Sequence, residues 1–388
     1  MRVRDVVVSI ACVGSAHCGS EVVVGMNRAG TETSAVPAGG SANTSAGPSA
    51  LLAVRRAAGD GHVAGGFTGC ADANDAACDG WLATVGSAIA EEARLAAPGA
   101  DHVLALALLD LDRVAGGARA MSGVPNAWVA RRTISSEIWN VSLASDPTRA
   151  SETRAIERAP DGTLVAAGNE RLDALDTGWL ARIGADGAIL RRIRIGGTPS
   201  SSESTVDAVT VLPSGRIFVG GRRRQNIGGR DATTPIVLDY GSDFTFFNSK
   251  SGIGLDGERT GVVRTVLGER DHEITACAQV DDGAAIVRME EAMVDVEASR
   301  TLTDPTGRVE LGGCAVTEDG GIVLAGTLGA DPPRPWAAKV DRVTLEPRWA
   351  RKYETERGRL LSVAAAPGGG AVAVGTSDGR AYALAIDP

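Results

Sequence analysis

Residues 319–327 read Asp-Gly-Gly-Ile-Val-Leu-Ala-Gly-Thr, and close variants of this phrase recur down the chain. "DGTLVAAGN" stands at 161–169, "SGRIFVGGR" at 214–222 and "GGGAVAVGT" at 368–376. Aligned on the last glycine, copies fall at Gly66, Gly117, Gly168, Gly221, Gly326 and Gly375, with separations of 51, 51, 53, 105 and 49 residues. The interval of 105 is about two periods, and "DHEITACAQ" at 271–279 supplies the missing copy, with Cys277 read in the place of the glycine. Seven copies at a spacing near 50 residues point to one repeat architecture, a propeller or a solenoid, rather than to separate domains.

Each copy holds more than one strand. A short apolar stretch lies upstream, as in "TRAIERA" (153–159) and "GGCAVTE" (312–318). A second phrase lies downstream and often opens on tryptophan: "GWLATVG" (80–86), "AWVARRT" (127–133), "GWLARIG" (178–184) and "PWAAKVD" (335–341). "PIVLDYG" at 235, "AAIVRME" at 284 and "AYALAID" at 381 are weaker copies, with Ile236 or Ala284 standing for the tryptophan. A fourth phrase follows, where Trp139, Leu190, Phe247 and Trp349 take comparable places. Asp161-Gly162, Asp186-Gly187 and Asp319-Gly320 supply the positive φ that tight hairpins need. The repeated glycine marks either a turn or a place where a neighbour leaves no room for a side chain. No segment shows a 3.6-residue apolar period, so the fold class is all-β. Four-stranded units repeated around an axis make a β-propeller.

The phrase "APDGTLVAAGNERLDALDTGWLARIGADGAIL" (159–190) resembles bacterial β-propeller repeats of the delta-60 and SBBP type. The resemblance covers about residues 50–388. It implies a bacterial surface or secreted protein and says little about activity. The tryptophan positions read as core between blades, and neither a quinoprotein repeat nor a sialidase Asp-box is present.

The expected organisation is an N-terminal segment 1–29, a low-complexity linker over 30–49 and the repeats over 50–388. The last unit stops at Pro388 one strand short of four. An N-terminal strand, "DVVVSIA" (5–11) or "EVVVGMN" (21–27), is expected to complete it. Seven blades are expected, with eight as the alternative because one of these strands is surplus.

The 39 basic and 48 acidic residues give a net charge of −9, which argues against a nucleic-acid partner. The one basic run, Arg222-Arg223-Arg224, reads as a solvated hairpin tip. No apolar run reaches the length of a membrane-spanning helix. The N-terminus resembles a secretion signal only faintly and reads as mature chain, with a missing upstream leader as the alternative. Six cysteines, with Cys12 and Cys18 around "VGSAH" and Cys70 and Cys78 around "ADANDAA", fit an oxidising, extracytoplasmic compartment. Both pairs are expected as local bridges. Cys277 and Cys314 either pair between blades or stay as buried thiols.

Chemical motifs are weak. "GTSDG" (375–379) matches the nucleophile-elbow expression at Ser377, but it lies between strands, without the helix that strains the serine outward. Asp72, Asn74, Asp75 and Asp79 could offer oxygen ligands to calcium, yet their spacing is not that of an EF-hand, and a solvated loop is the plainer reading. His17, His62, His102 and His272 are scattered. The expected function is therefore a non-catalytic binding scaffold for a protein or glycan ligand, acting as a monomer and without cofactor. Its variable loops at 66–80 and 221–235 would carry recognition. The alternatives are a hydrolase or lyase working at the central channel and a purely structural surface component.

Overall fold

The computed structural model describes residues 20–23 and 49–388, apart from the stretches 58–60, 71–77, 87–88, 96–100, 122, 173–174, 196–201, 228–229, 253–259, 271–272, 282, 291–295, 330–331 and 354–356. Among the described residues there is no α-helix. A short strand, β1 (Ser20–Val23), precedes seven antiparallel units among the described residues. Unit one is β2 (Ser49–Arg56), β3 (His62–Thr68), β4 (Asp79–Val85) and β5 (Ile89–Leu95). Unit two is β6 (Asp101–Leu109), β7 (Asp112–Met121), β8 (Val124–Arg132) and β9 (Glu137–Ser142). Unit three is β10 (Ser151–Arg158), β11 (Leu164–Leu172), β12 (Leu175–Ile183) and β13 (Ile189–Ile195). Unit four is β14 (Ser202–Val211), β15 (Ile217–Ile227), β16 (Arg230–Tyr240) and β17 (Phe246–Ser251). Unit five is β18 (Gly261–Arg270), β19 (Glu273–Val280), β20 (Gly283–Glu290) and β21 (Val296–Thr303). Unit six is β22 (Val309–Val316), β23 (Gly321–Leu328), β24 (Arg334–Asp341) and β25 (Pro347–Lys352). Unit seven is β26 (Arg359–Ala365), β27 (Ala371–Ser377) and β28 (Arg380–Ile386).

Within each unit the strands pair in chain order. The Asp-Gly corners do as their sequence requires, with φ of 81° at Gly162, 88° at Gly187 and 73° at Gly320. The first strands pack side by side, β2 on β6, β6 on β10, β10 on β14, β14 on β18, β18 on β22 and β22 on β26, and β26 meets β2. The units thus stand around a common axis with their first strands innermost, which is a β-propeller.

The register explains the repeated glycine. In six units it lies beside a β-bulge of the first strand, at Leu51/Ala53, Val103/Ala105, Thr153/Ala155, Val206/Ala208, Leu311/Gly313 and Leu360/Ser362. A Cβ at Gly66, Gly117, Gly168, Gly221, Gly326 or Gly375 would run into the carbonyl oxygen of Ala50, His102, Glu152, Thr205, Glu310 or Arg359. Close approach of backbone, not a turn, is what fixes the residue.

Across the next ladder the glycine faces the tryptophan: Gly66 pairs with Trp81, Gly117 with Trp128, Gly168 with Trp179 and Gly326 with Trp336. All four indoles are buried, each in a cluster shared with the preceding unit. Ile236 takes the position in unit four and Tyr382 in unit seven.

Unit five corrects the alignment of the sequence. Its bulge puts Ala278, not Cys277, where the glycine falls, and Ala278 pairs with Ala285, not Ala284, in the tryptophan's place. The missing indole volume is met from the other side of the interface. Phe218 of unit four is fully buried in the same cluster as Ala285 and Val287. In the fourth strands, Trp139 and Trp349 pair with Arg131 and Lys339 and are partly buried, whereas Leu190 and Phe247 sit one residue out of that register and face solvent.

Two further expectations change. Strand β1 lies parallel to β21 on the outer edge of unit five, Ser20 opposite Arg300 and Val23 opposite Thr303, and does not complete unit seven. The segment 5–11, the other candidate for that role, lies outside the described residues, as does nearly all of the linker. The ends of the described repeats meet by direct contacts. The Ser49 N–H donates to the Gly379 carbonyl (2.9 Å), and the Ala381 N–H donates to Ser49 Oγ (3.0 Å). His62 Nε2 lies 2.9 Å from the Ala365 carbonyl, and Arg56 pairs with Glu318 at the β22–β23 corner of unit six. The second change concerns 221–235, expected as a loop. It is the body of a long β15–β16 ribbon, so Arg222, Arg223 and Arg224 lie within a strand and not at its tip.

Candidate functional site

Each bulge leaves one residue of a first strand without a ladder partner and turns it toward the axis. In chain order these residues are Leu52, Leu104, Arg154, Asp207, Arg264 and Gly312, and Leu361 completes the ring in unit seven. All seven line one central channel of about 1030 Å³. None of them is buried, although the residue before each is. The ring is divided. Leu361, Leu52 and Leu104 come from the adjacent units seven, one and two and form an apolar arc. Arg154, Asp207 and Arg264 come from units three, four and five and form a charged arc. Gly312 of unit six stands between them, close against the Leu360–Leu361 backbone of unit seven.

The charged arc is loosely tied. Arg264 Nη1 stands 3.9 Å from Asp207 Oδ1, too far for a hydrogen bond. Arg154 Nε donates to Glu152 Oε1 at 2.5 Å. Arg359 and Glu310 pair at 3.2 Å between units seven and six. Deeper in the channel, burial pushes the Glu157 carboxyl above its usual range while Arg55 pulls it down. The channel is lined by Arg55, Arg56, Arg154, Arg264, Arg308 and Arg359 against Glu157, Asp207 and Glu310. Its walls are thus net positive in a chain of charge −9.

A smaller hollow of about 400 Å³ opens beside the charged arc between units three and four. Its polar groups are mostly structural. The buried Glu170 accepts from Arg192, Arg194 and Ser145, all at 2.6 Å. Asn169 clips the next unit by donating to the Val206 carbonyl (3.0 Å) and accepting from its N–H (2.8 Å).

The opposite face carries the tight turns between first and second strands and between third and fourth strands. Among the described residues, eight large apolar side chains are exposed, and seven of them belong to units two to four: Leu111, Ile134, Ile138, Ile189, Leu190, Phe246 and Phe247. All seven lie at these turns or at the first residues of a fourth strand. Units two and three are joined there, for Trp139 Nε1 donates to the Ala185 carbonyl (2.9 Å). The same turns carry a recurring ion pair, Arg131 to Asp112, Arg182 to Asp161 and Lys339 to Asp319, which appears with exchanged charges as Asp239 to Arg216.

The residues singled out in the sequence are placed as follows. Cys70 and Cys78 form a disulfide (Cα–Cα 5.1 Å), as expected. Cys277 and Cys314 form one between units five and six (Cα–Cα 6.4 Å), which settles the open alternative. Cys12, Cys18, His17, His272, Asp72, Asn74 and Asp75 lie outside the described residues, and Asp79 is the first residue of β4. Ser377 ends β27, donates to the Arg357 carbonyl and leads into the Asp378-Gly379 turn, so it is no nucleophile elbow. His102 stacks edge-on against Phe67 and is far in sequence from the seam that holds His62. The signal that reasoning from sequence missed is the residue directly after Leu51, Val103, Thr153 or Val206: only the bulge makes it face the channel. No helix among the described residues is long and apolar enough to cross a membrane.

No protein-family model matches the chain, so its likeness to delta-60 and SBBP repeats rests on the quoted phrases. No curated protein matches it. Solved structures do resemble it. A protein of unknown function from Dyadobacter fermentans superposes with a TM-score of 0.52 at 12% identity, covering 88% of this chain and 95% of that one. Sqt1 from Chaetomium thermophilum, solved bound to the N-terminus of ribosomal protein L10, gives 0.49 at 14% identity over 88% and 97% of the two chains. The Dos1 propeller gives 0.49 at 12% identity over 88% and 83%. At such identities the likeness concerns the fold alone.

Proposed function

We propose that this propeller is a non-catalytic interaction scaffold that works as a single chain outside the cytoplasm and holds a protein partner on the tight-turn face of units two to four. The observation that carries the reading is the confinement of seven of the eight exposed large apolar side chains to three adjacent units. Phe246, Phe247, Leu190, Ile189 and Ile138, at 43–57% exposure, open the fourth strands of these units. Single exposed apolar residues are ordinary, whereas a contiguous set of this kind marks an interface. Aromatic residues there favour a protein partner, since they anchor the core of such contacts. The two disulfides favour an oxidising compartment.

The test is affinity capture from the native source with the parent and with a Leu190→Glu/Phe247→Glu variant. Both positions are exposed, so the variant should melt like the parent. A partner retained by the parent and lost by the variant supports the reading. Identical capture by both would contradict it.

A further inference from the structure

The divided ring in the channel is not explained by folding. Three partly buried leucines from adjacent units line the axis on one side. Facing them, Arg154 and Arg264 keep 39% and 41% of their side chains exposed, and Arg264 makes no hydrogen bond to its nearest carboxylate, that of Asp207. A concave site with an apolar wall and a few convergent polar groups is the usual form of a small-ligand pocket.

We propose that the channel binds an aliphatic carboxylate, its hydrocarbon lying on Leu361, Leu52 and Leu104 and its carboxylate held by Arg154 and Arg264. Guanidinium groups match a carboxylate in a planar, two-point arrangement, which an ammonium would not. The charge balance fits: the channel walls are net positive although the chain as a whole is acidic, so an anion is drawn to the axis and away from the outer surface. Asp207 sits between the two arginines and competes for them. The volume of about 1030 Å³ admits either a free acid or the C-terminal residues of a peptide. This site lies on the axis, apart from the apolar face of units two to four, and does not depend on it.

The two sources are separated by calorimetric titration of the intact protein with octanoate and with an N-acetylated hexapeptide ending in leucine, its C-terminal amide serving as control. Binding of at least one carboxylate with a Kd below about 1 mM is expected. Octanoate alone would identify a free acid, the peptide alone a chain terminus, and both the shared chemistry. The amide and octanol should bind about tenfold more weakly or not at all, a comparison that needs no variant. Arg154→Gln/Arg264→Gln should weaken binding by at least about tenfold, and Leu52→Asn/Leu104→Asn should weaken it as well. Asp207→Asn should strengthen it, which loss of a merely structural ion pair would not do. No heat or shift from either carboxylate at that concentration, equal binding of acid and amide, or unchanged affinity in the arginine variant would overturn the assignment.

Discussion

At Gly326 a side chain would meet the Glu310 carbonyl oxygen, and the same collision awaits at five other repeats. The sequence shows these glycines and their spacing, but the bulge that requires them is a property of the neighbouring strand and has no residue type of its own. That is why Cys277 can be mistaken for the glycine's replacement when Ala278 holds the position. Gly326→Val should therefore destabilise by at least about 1–3 kcal/mol, as forced overpacking does, with the loss read from the shift of the urea midpoint. Trp179→Ala removes a fully buried indole and should cost about 3–5 kcal/mol, whereas Leu190→Ala, at an exposed site only one strand away, should change the midpoint little. His62 gives a pH-dependent counterpart. Burial pushes its imidazole below the usual range, the Ala365 carbonyl pulls it back up, and Arg56 adds to the lowering. A base depressed in the folded state binds its proton first in the unfolded chain. The stability from this group is thus complete above about pH 6.5 and falls as pH drops from there toward the folded value. Urea midpoints should decline over that window in the parent and decline less in His62→Gln, whose amide can still donate to the carbonyl.

Strands were legible because their apolar phrases are short and bounded by Asp-Gly and Ser-Gly corners that can adopt only a few conformations. The β15–β16 ribbon was not, since Arg222-Arg223-Arg224 carries no apolar alternation and its pairing is set by β14 and the length of the hairpin. The channel ring was invisible for a related reason. Leu52, Leu104 and Leu361 read as core residues of a strand, and only the extra residue in each bulge turns them to the axis. Between elements, the Cys277–Cys314 bridge replaces a contact that other units make with glycine or alanine packed on the next first strand. It closes a loop of 37 residues, and removing it should cost about 4 kcal/mol on the chain-entropy account. Cys277→Ala keeps the residue type found at Ala325 in unit six, so a loss of that size would report the bridge itself. Denatured, unreduced protein should show no reactive thiol at either position by peptide mapping, and labelling of both would contradict the pairing.

In the whole molecule the seam between units seven and one bears the closure. Ser49 and His62 meet residues 365, 379 and 381 there, and Arg56 of unit one reaches past the seam to Glu318 of unit six, all within the described repeats. Replacing residues 20–23 by a Gly-Ser stretch should consequently remove the β1 addition on β21 and leave a folded ring with a melting temperature close to the parent's, while a collapse would show that β1 is part of the closure after all. The number of units, their order around the axis and the direct meeting of the two ends are all decided by an experimental electron-density map of the full chain. It should show seven antiparallel units with β26 packed on β2 and the His62 imidazole on the Ala365 carbonyl. An eighth unit between them, or an open arc with β2 and β26 apart, would contradict the account.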